Sequence, residues 1–205
     1  MALHRIFVGV SQRVDIVAAR DERRDALDQR WPKFLAACGC TALPLPNRAP
    51  ATVDMLDALN PIGVVLTGGN DLAAVGGDAP ERDEAERAML NWASARGAPV
   101  IGVCRGMQMI ISEYGAQLKR LDAHIGTRHR LVWQGRPIEV NSYHGWGANM
   151  LPRDLETTAK SDDGCIEAFR HTSKPVFGIM WHPEREMPFA DHDIAFFRSI
   201  FGSPR

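Results

Sequence analysis

The chain has 205 residues, of which 45% are hydrophobic and 24% are charged. This is enough apolar sequence for one substantial core, and we expect a single domain over residues 1–205. Lys and Arg number 24 against 25 Asp and Glu, so the formal net charge is -1. A balance this close to neutral argues against a general affinity for nucleic acid or an anionic membrane, and favours small-molecule ligands.

No apolar stretch of the sequence reaches the roughly 18–20 residues that a membrane-spanning helix needs, and residues 1–13 are too short and too polar for a signal peptide. The cysteines Cys38, Cys40, Cys104 and Cys165 match neither a disulfide framework nor a zinc-ligand spacing. We therefore expect a cytoplasmic protein in which Cys38 and Cys40 pack at a helix-to-strand junction.

Short β-branched or apolar runs alternate with longer amphipathic segments through the first half of the chain. The strand-like runs are RIFVGVS, TALPLP, IGVVLTGG and PVIGVC, and the helical patterns are WPKFLAACG, TVDMLDALN, EAERAMLNWASARG and GMQMIISEYG. This alternation predicts a mostly parallel central sheet flanked by helices.

Glycine, threonine and proline residues indicate where the predicted helices begin and end. Gly39, Gly97 and Gly115 are placed as C-terminal helix caps, and Thr52 as an N-terminal cap. Pro32 indicates that the first helix restarts or kinks there.

After residue 115 the apolar runs become shorter and are broken by Gly, Pro and Asp. RLVW, IEVNSY, CIEAFR and VFGIMW are typical of strands, and a last helix is predicted to begin at Asp191. We expect these runs to supply further strands of the sheet together with a small antiparallel extension.

The segment PVIGVCRGMQMI sets Cys104 between Gly102 and Gly106, where a strand turns into a helix. The glycines let strand and helix pass closely, as at the sharp turn that displays a nucleophile. The helix N-terminus and Arg105 favour thiolate over thiol, and the Arg105 N–H is positioned to meet a developing oxyanion. A cysteine packed in the core is the alternative.

A cysteine nucleophile needs a base and a group that orients the base, and the WHPERE segment offers His182 and Glu184. Pro183 favours an extended chain, in which residues two apart face the same way. Alone, this pattern fits a surface pair or a metal-ligand pair as well. Together with the turn at Cys104, it predicts a Cys-His-Glu triad.

A second oxyanion donor is expected from the strand end VLTGGNDL, where the bare backbone of Gly68 and Gly69 can approach a carbonyl group. An ordinary glycine turn is the alternative. The polar segment VNSYHGWG follows another predicted strand, and its His144 fits a structural position as well as a substrate contact.

The strand end TGGN, the turn GVCRGMQ and the segment WHPE, in this order over residues 62–187, resemble the class I glutamine amidotransferase-like superfamily. The resemblance implies a flavodoxin-like fold. It also implies a triad of Cys104, His182 and Glu184, with oxyanion amides from Arg105 and from Gly68 and Gly69. By the same resemblance, substrate contacts come from Gln108 at the glutamyl group and from the NSYHG segment, with Ser142, Tyr143 and His144.

Arg105 after the nucleophile, and TGGND in place of a Gly-Gly-Pro turn, are similar to the γ-glutamyl hydrolase branch of this superfamily. The short segments HIG, IEAFRH and FGIMWHPERE extend the similarity, which implies hydrolysis of a γ-glutamyl amide with a nucleotide-bearing leaving group. One alternative is a glutaminase subunit that delivers ammonia to a separate synthetase. A catalytically silent binding protein on the same scaffold is another.

A nucleotide-bearing leaving group calls for phosphate contacts, and the segment DAHIGTRHR offers His124, Arg128, His129 and Arg130. A solvated basic loop is the alternative. The sequence contains no zinc motif, P-loop or dinucleotide-binding glycine motif, so we expect no metal and no cofactor. A homo-oligomer is compatible with the sequence.

Overall fold

The computed structural model describes residues 6–202; Arg5, which the sequence assigned to the first strand, lies outside this range. The helices are α1 (Arg30–Ala37), α2 (Ala49–Leu59), α3 (Pro80–Arg96), α4 (Arg105–Glu113) and α5 (Asp191–Phe201). The strands are β1 (Ile6–Val10), β2 (Arg13–Val17), β3 (Glu22–Ala26), β4 (Cys40–Pro44), β5 (Gly63–Leu66), β6 (Val100–Val103), β7 (Lys119–Arg120), β8 (Ile125–Trp133), β9 (Arg136–Tyr143), β10 (Trp146–Gly147), β11 (Leu155–Lys160), β12 (Ile166–His171) and β13 (Val176–Ile179).

A seven-stranded sheet in the order β11-β12-β13-β6-β5-β1-β4 forms the centre of the protein. The pairs from β13 through β4 are parallel, and β12 joins antiparallel to both β13 and β11. Small two-stranded antiparallel sheets, β2–β3, β7–β10 and β8–β9, lie outside it. The predicted mostly parallel sheet with an antiparallel extension is confirmed.

Helices cover both faces of the central sheet. One apolar cluster joins α1, α5 and the β8–β9 hairpin, and the other joins α2, α3 and α4. Consecutive residues of β5 alternate between the two clusters, because Val65 packs in the first and Val64 and Leu66 pack in the second. A strand buried on both faces reads as a continuous apolar run, which is the pattern that the sequence showed.

The structure corrects two details near the N-terminus. Residues 13–26 form the β2–β3 hairpin, which the sequence did not predict, so α1 begins at Arg30 with Pro32 in its first turn. Proline is tolerated there because the first amides of a helix lack partners within it. Thr52 is not an N-cap: α2 begins at Ala49, and the Thr52 hydroxyl donates to the Pro46 carbonyl oxygen at 2.5 Å.

Other local predictions are confirmed. Gly39, Gly97 and Gly115 have positive φ at or just after the helix ends, and α5 begins at Asp191. Cys38 and Cys40 are buried where α1 passes into β4, as expected for packing at this junction. Within residues 6–202, none of the helices is long and apolar enough to cross a membrane.

The long β8–β9 hairpin carries a polar segment back to the central sheet. Gln134 and Gly135 form its turn, and both have positive φ, as a tight two-residue hairpin turn requires. The turn sets the register of β8 against β9, and β9 ends at Tyr143. This register determines where Asn141 to His144 lie relative to the ends of the parallel strands.

Candidate active site

Cys104 lies on a strained turn between β6 and α4. Its backbone has φ 52 and ψ -107, a conformation that non-glycine residues rarely adopt. A Cβ on Gly106 would lie 2.1 Å from the Leu66 carbonyl oxygen, and one on Gly102 would lie 2.6 Å from the Gly106 backbone. The two glycines are therefore required for this close crossing of strand and helix, as the sequence predicted.

Strand β13 brings His182 to Cys104. β13 pairs in parallel with β6, and the Cys104 amide donates to the Ile179 carbonyl oxygen at 2.8 Å. His182 follows three residues later and is buried with Cys104 at the ends of these strands. Neighbouring parallel strands thus place two residues that are far apart in sequence beside each other.

Glu184 contacts the His182 ring as predicted, although the chain is not extended throughout. His182 is extended, but Pro183–Arg185 form a short 3-10 turn. The His182 Nδ1 lies 2.7 Å from Glu184 Oε1, and both side chains are buried. A carboxylate accepts, so Nδ1 carries the proton and Nε2 is the ring nitrogen that is available to the thiol.

Opposing effects set the protonation of this pair. Burial raises the pKa of the Cys104 thiol. The charge of His182, a hydrogen bond with its ring, the charge of His144 and a hydrogen bond from the Arg105 amide together outweigh burial and leave the pKa below its usual value. Burial lowers the pKa of His182, whereas the Cys104 thiolate and the Glu184 carboxylate raise it to about 10. Both shifts favour a thiolate beside an imidazolium, the form in which a cysteine is nucleophilic.

Asn141 of β9 holds the backbone of His182 from both sides. Its Oδ1 accepts from the His182 amide at 2.9 Å, and its Nδ2 donates to the His182 carbonyl oxygen at 2.9 Å. Nδ2 also donates to Glu186 Oε1 at 2.7 Å. Because these groups are buried, the hairpin determines the position of the His182 ring.

Arg82 orients the glycine turn after β5. Its buried guanidinium donates to the carbonyl oxygens of Thr67 at 2.7 Å, of Gly68 at 3.1 Å and of Gly69. A trans peptide directs its N–H opposite to its C=O, so the amides of Gly68 and Gly69 point away from Arg82. A Cβ on Gly68 would lie 2.5 Å from His182 Cε1, which shows how closely this turn approaches the imidazole.

The Arg105 side chain is committed to the core. Its guanidinium pairs with Glu86 and Asp83, and Glu86 also accepts from Arg82 Nε at 3.0 Å and from the Ser11 hydroxyl at 2.7 Å. The sequence argument assigned a role to the charge of Arg105, but this charge is compensated. The contribution of Arg105 to the lowered pKa of Cys104 is the hydrogen bond from its backbone amide.

A cleft of about 340 Å³ opens above the thiol. Its walls are Gly69, Asn70, Asp71, Cys104, Arg105, Gln108, Tyr143, His144, Gly145, His182 and Arg185. The structure therefore brings the predicted nucleophile, its histidine, the glycine turn and the first residues of α4 to one cavity.

The predicted substrate contacts differ in their accessibility. Gln108 lines the cleft and donates through Nε2 to the Trp146 carbonyl oxygen at 2.9 Å, whereas the buried Ser142 hydroxyl donates to the His124 carbonyl oxygen at 2.6 Å. Tyr143 is 44% exposed and presents its ring edge to His182. The hydroxyl of Ser142 therefore stabilises the hairpin instead of facing the cleft.

The predicted phosphate contacts are paired with carboxylates. Arg128 Nε donates to Glu139 Oε1 at 2.8 Å, and its NH1 donates to Glu186 Oε1 at 3.1 Å. His124 is buried, and its Nε2 bonds Asp163 Oδ2 at 3.0 Å. Arg128 is half exposed and His124 is only 3% exposed, but both line one pocket together with His129 and Arg130, so both phosphate contacts stay predictions.

Sequence reasoning missed Arg82 and Asn141. Arg82 did have a signal, because Arg82, Glu86, Met89 and Ala93 follow a helical spacing that continues into the buried side of α3. Charged residues that share a helix face with buried apolar residues indicate that their side chains form a buried network of ion pairs and hydrogen bonds. Asn141 had no such signal of its own within NSYHG.

A family model described as glutamine amidotransferase class-I matches residues 26–200. The chain belongs to the class I glutamine amidotransferase family. Among its relatives, γ-glutamyl-CDP-amidate hydrolase of Campylobacter jejuni subsp. jejuni serotype O:2 is 31% identical over 184 residues, covering 88% of this chain and 91% of that protein. One subunit of the glutamine-hydrolyzing GMP synthase of Methanobrevibacter smithii is 30% identical over 142 residues, covering 65% of this chain and 69% of that protein.

Other members of this family extend the range of activities. The carbamoyl phosphate synthase small chain of Acinetobacter baylyi is 30% identical over 174 residues, covering 79% of this chain and 44% of that protein. A solved structure from Thermoplasma acidophilum, described as a GMP synthase subunit, matches with a TM-score of 0.70 at 20% identity, covering 97% of this chain and 94% of that chain. The fold predicted for a class I glutamine amidotransferase is thus confirmed.

Proposed function

We propose that this chain is a cysteine-dependent hydrolase that cleaves a γ-glutamyl amide bond and releases glutamate. Cys104 and His182 meet in one cleft and the buried Glu184 bonds the His182 ring, and this arrangement carries the proposal, because a thiolate, a base and an orienting carboxylate are the parts that covalent acyl transfer needs. The similarity to a hydrolase along 88% of the chain supports hydrolysis as the outcome.

In the first half of the reaction, the Cys104 thiolate attacks the δ-carbonyl carbon, and the carbonyl electron pair moves onto oxygen. The amides of Gly69 and Arg105 donate to this oxyanion, a contribution typically worth about a hundredfold or more in rate for each donor. The tetrahedral intermediate then collapses. The C–N bond breaks, and the His182 imidazolium gives its proton to the departing nitrogen.

In the second half, a water molecule attacks the γ-glutamyl thioester, and the now neutral His182 accepts a proton from it. Collapse of the second tetrahedral intermediate breaks the C–S bond and restores the Cys104 thiolate with the imidazolium. Glutamate is released. The hydrogen bond from His182 Nδ1 to Glu184 keeps the ring oriented through both proton transfers.

We propose γ-glutamyl-CDP-amidate as the substrate, giving glutamate and cytidine diphosphoramidate, a step of capsule biosynthesis. Gln108 and Tyr143 line the wall that receives the glutamyl group, and His144 lies beside them. Arg185 lines the same cleft and stacks over the Tyr143 ring at 4.6 Å, where its charge can meet a carboxylate or phosphate. Arg128 would reach a phosphate by exchanging one of its two carboxylate partners.

The test is glutamate release by the full chain without added proteins, from glutamine, γ-glutamyl peptides and γ-glutamyl-CDP-amidate in parallel. We expect rapid release from the nucleotide substrate and a loss of about a thousandfold or more in Cys104→Ala. Cys40→Ala is the matched control, since it removes a buried thiol at the distant α1–β4 junction and should leave the rate unchanged.

Two results would contradict the proposal in different ways. Release that survives in Cys104→Ala would remove Cys104 as the nucleophile. Slow, Cys104-dependent cleavage of glutamine alone would favour the second candidate, a glutaminase subunit that supplies ammonia to a separate synthetase. The relatives described as parts of synthases are the observation behind this candidate.

A further inference from the structure

Behind the cleft wall, three histidines and one glutamate converge from different strands. His124 precedes β8, His129 lies within β8, His144 follows β9, and Glu167 lies within β12. One potential ligand atom from each residue lies within 4.8 Å of every other. All four residues are buried or half-buried, so this cluster is a feature of the interior.

The ring nitrogens gather around one carboxylate oxygen. Glu167 Oε1 lies 3.5 Å from His144 Nε2, 3.6 Å from His124 Nδ1 and 3.9 Å from His129 Nε2. Each of these nitrogens, and both oxygens of Glu167, is buried without a hydrogen-bond partner. Orphaned polar atoms of this kind are costly, and here they all face one point.

The outer contacts of two rings determine where their protons are. His144 Nδ1 lies 3.1 Å from the Trp146 carbonyl oxygen, and His124 Nε2 lies 3.0 Å from Asp163 Oδ2. Both oxygens only accept, so these nitrogens donate. In the neutral rings, the opposite nitrogens then carry lone pairs that point at the Glu167 carboxylate. Lone pairs facing a negative charge require a cation between them.

We propose that His124, His129, His144 and Glu167 bind a divalent transition-metal ion, which we assign as Zn²⁺. Zinc takes imidazole nitrogens and carboxylate oxygens at about 2.0–2.2 Å in tetrahedral sites, which places ligand atoms about 3.4 Å apart. The separations of 3.5 to 3.9 Å from Glu167 Oε1 are close to this value, and the other pairs of ligand atoms, all within 4.8 Å, would contract by up to about 1.4 Å on binding. The donations of His144 to a carbonyl and of His124 to a carboxylate are the outer contacts that zinc-bound histidines typically make.

A proton explains less of the cluster than a metal does. One proton on His144 would pair its Nε2 with Glu167 but would leave His124 Nδ1 and His129 Nε2 without partners. A single metal ion satisfies all three rings and the carboxylate together. The ligands are spread over residues 124–167, which is why the sequence shows no short zinc motif.

The site would hold the cleft wall in place. His144 lines the cleft, and the Trp146 carbonyl oxygen that accepts from His144 also accepts from Gln108. Four protein ligands close the coordination sphere, so the ion has a structural role and does not take part in bond cleavage. It would join β12 of the central sheet to the β8–β9 hairpin that carries Asn141.

The test loads the purified full chain with Zn²⁺ in a Cys104→Ala background, which removes the thiol of the cleft as a competing ligand. After desalting, we expect about one equivalent of zinc by elemental analysis and a rise of several degrees in melting temperature. His129→Ala and Glu167→Gln should each lower the zinc affinity about tenfold or more. His192→Ala, which alters a partly exposed histidine on α5, is the matched control and should retain zinc.

A spectroscopic measurement on the Cys104→Ala protein does not use the ligand variants, so its outcome does not depend on whether those variants fold. Co²⁺ in the Cys104→Ala protein should show the intense visible bands of four-coordinate cobalt with nitrogen and oxygen ligands, and the bands should disappear on adding Zn²⁺. Retention of less than about a tenth of an equivalent of zinc would overturn the proposal. The same conclusion would follow from pale six-coordinate cobalt spectra, or from unchanged zinc affinity in folded His129→Ala and Glu167→Gln.

Discussion

The acidity of the Cys104 thiol depends on the charges that surround its buried sulfur. The thiol gains its acidity from the His182 ring, and the ring keeps its proton because of the thiolate and Glu184. Burial is the largest cause of the raised pKa of the other three cysteines, about 11 for Cys40 and about 12 for Cys38 and Cys165, and neighbouring charges add to it for the latter two. Of the four cysteines, Cys104 is therefore the one whose pKa is lowered, as the proposed nucleophile requires.

This contrast predicts how alkylation by iodoacetamide depends on pH. The pKa of Cys104 lies below its ordinary value, so its thiolate persists to lower pH than that of an ordinary thiol, and the alkylation rate falls as the pH drops through that lowered pKa. Between pH 7 and 9 the rate should rise less steeply than that of an ordinary thiol of pKa about 8.5, which accelerates more than about tenfold. His182→Ala should restore the steep rise. A steep rise in the wild type would contradict the thiolate–imidazolium pair.

Asn141 is a positioning residue whose loss should lower the turnover number more than it weakens substrate binding. Asn141→Ala leaves the buried amide of His182 without a partner, at about 1–3 kcal/mol, and leaves the His182 carbonyl oxygen with only the Arg185 amide, at 3.1 Å. We expect kcat to fall about tenfold or more with KM changed less, because the ring no longer meets the thiol. The alkylation profile of Cys104 should also move toward that of an ordinary thiol.

The control for this variant is Asn91→Ala on the exposed side of α3, which should leave kcat and the alkylation profile unchanged. If Asn141→Ala lowers only the melting temperature and keeps the wild-type kcat, Asn141 serves stability alone.

The crossing of β5, β6 and α4 leaves little room for a larger side chain. Gly106 lets the first turn of α4 lie against the Leu66 carbonyl oxygen, and the backbone of Gly102 lies against Gly106. The buried pairs of Arg105 with Glu86 and Asp83 then attach α4 to α3. A buried ion network of this kind is costly to break at one partner, since a charge is left uncompensated.

We expect Gly106→Ala to destabilise the protein by about 3 kcal/mol or more, because the methyl group would lie 2.1 Å from a backbone oxygen that cannot rotate away. The melting temperature, followed by circular dichroism, should fall by about 6–12 °C for a chain of this size. In Gly145→Ala the added carbon would meet Ile125 Cδ1 at 3.5 Å, an ordinary contact. The melting temperature of that control should stay near the wild-type value, and equal shifts in both variants would contradict the argument.

Across the whole molecule, both apolar clusters rest on the same sheet. Side chains of β5, β6 and β13 pack in both clusters. The antiparallel strands β12 and β11 continue the sheet beyond β13. Loss of the sheet would expose both clusters together, so we expect the two sides of the protein to unfold as one unit.

This expectation is tested by comparing heat-induced unfolding followed by far-UV circular dichroism and by tryptophan fluorescence. The five tryptophans sample different elements of the structure: Trp31, Trp92, Trp133, Trp146 and Trp181. The two transitions should coincide within error for a single cooperative domain. Two separated transitions would show that the β8–β9 hairpin or another part unfolds on its own.

Much of this protein was predictable because its strongest signals are local. The alternation of apolar runs and amphipathic segments predicts the central sheet and its helices. A strand buried on both faces and an amphipathic helix can each be recognised from the pattern of a few neighbouring residues. The glycines around Cys104, and the spacing of His182 and Glu184, likewise describe a close crossing and an ion pair that form within short segments. In the structure, the glycines do allow the close crossing at Cys104, and Glu184 does contact the His182 ring.

The remaining features depend on which distant segments meet. Asn141 reaches His182 because the β8–β9 hairpin folds back onto the sheet, and Arg82 reaches the turn at Gly68 because α3 packs against β5. Buried polar groups such as Glu167 find their partners on other strands, whose order no local pattern specifies. The sequence therefore determined the residues of the proposed triad, whereas strand order and hairpin packing determined the groups that hold and tune them.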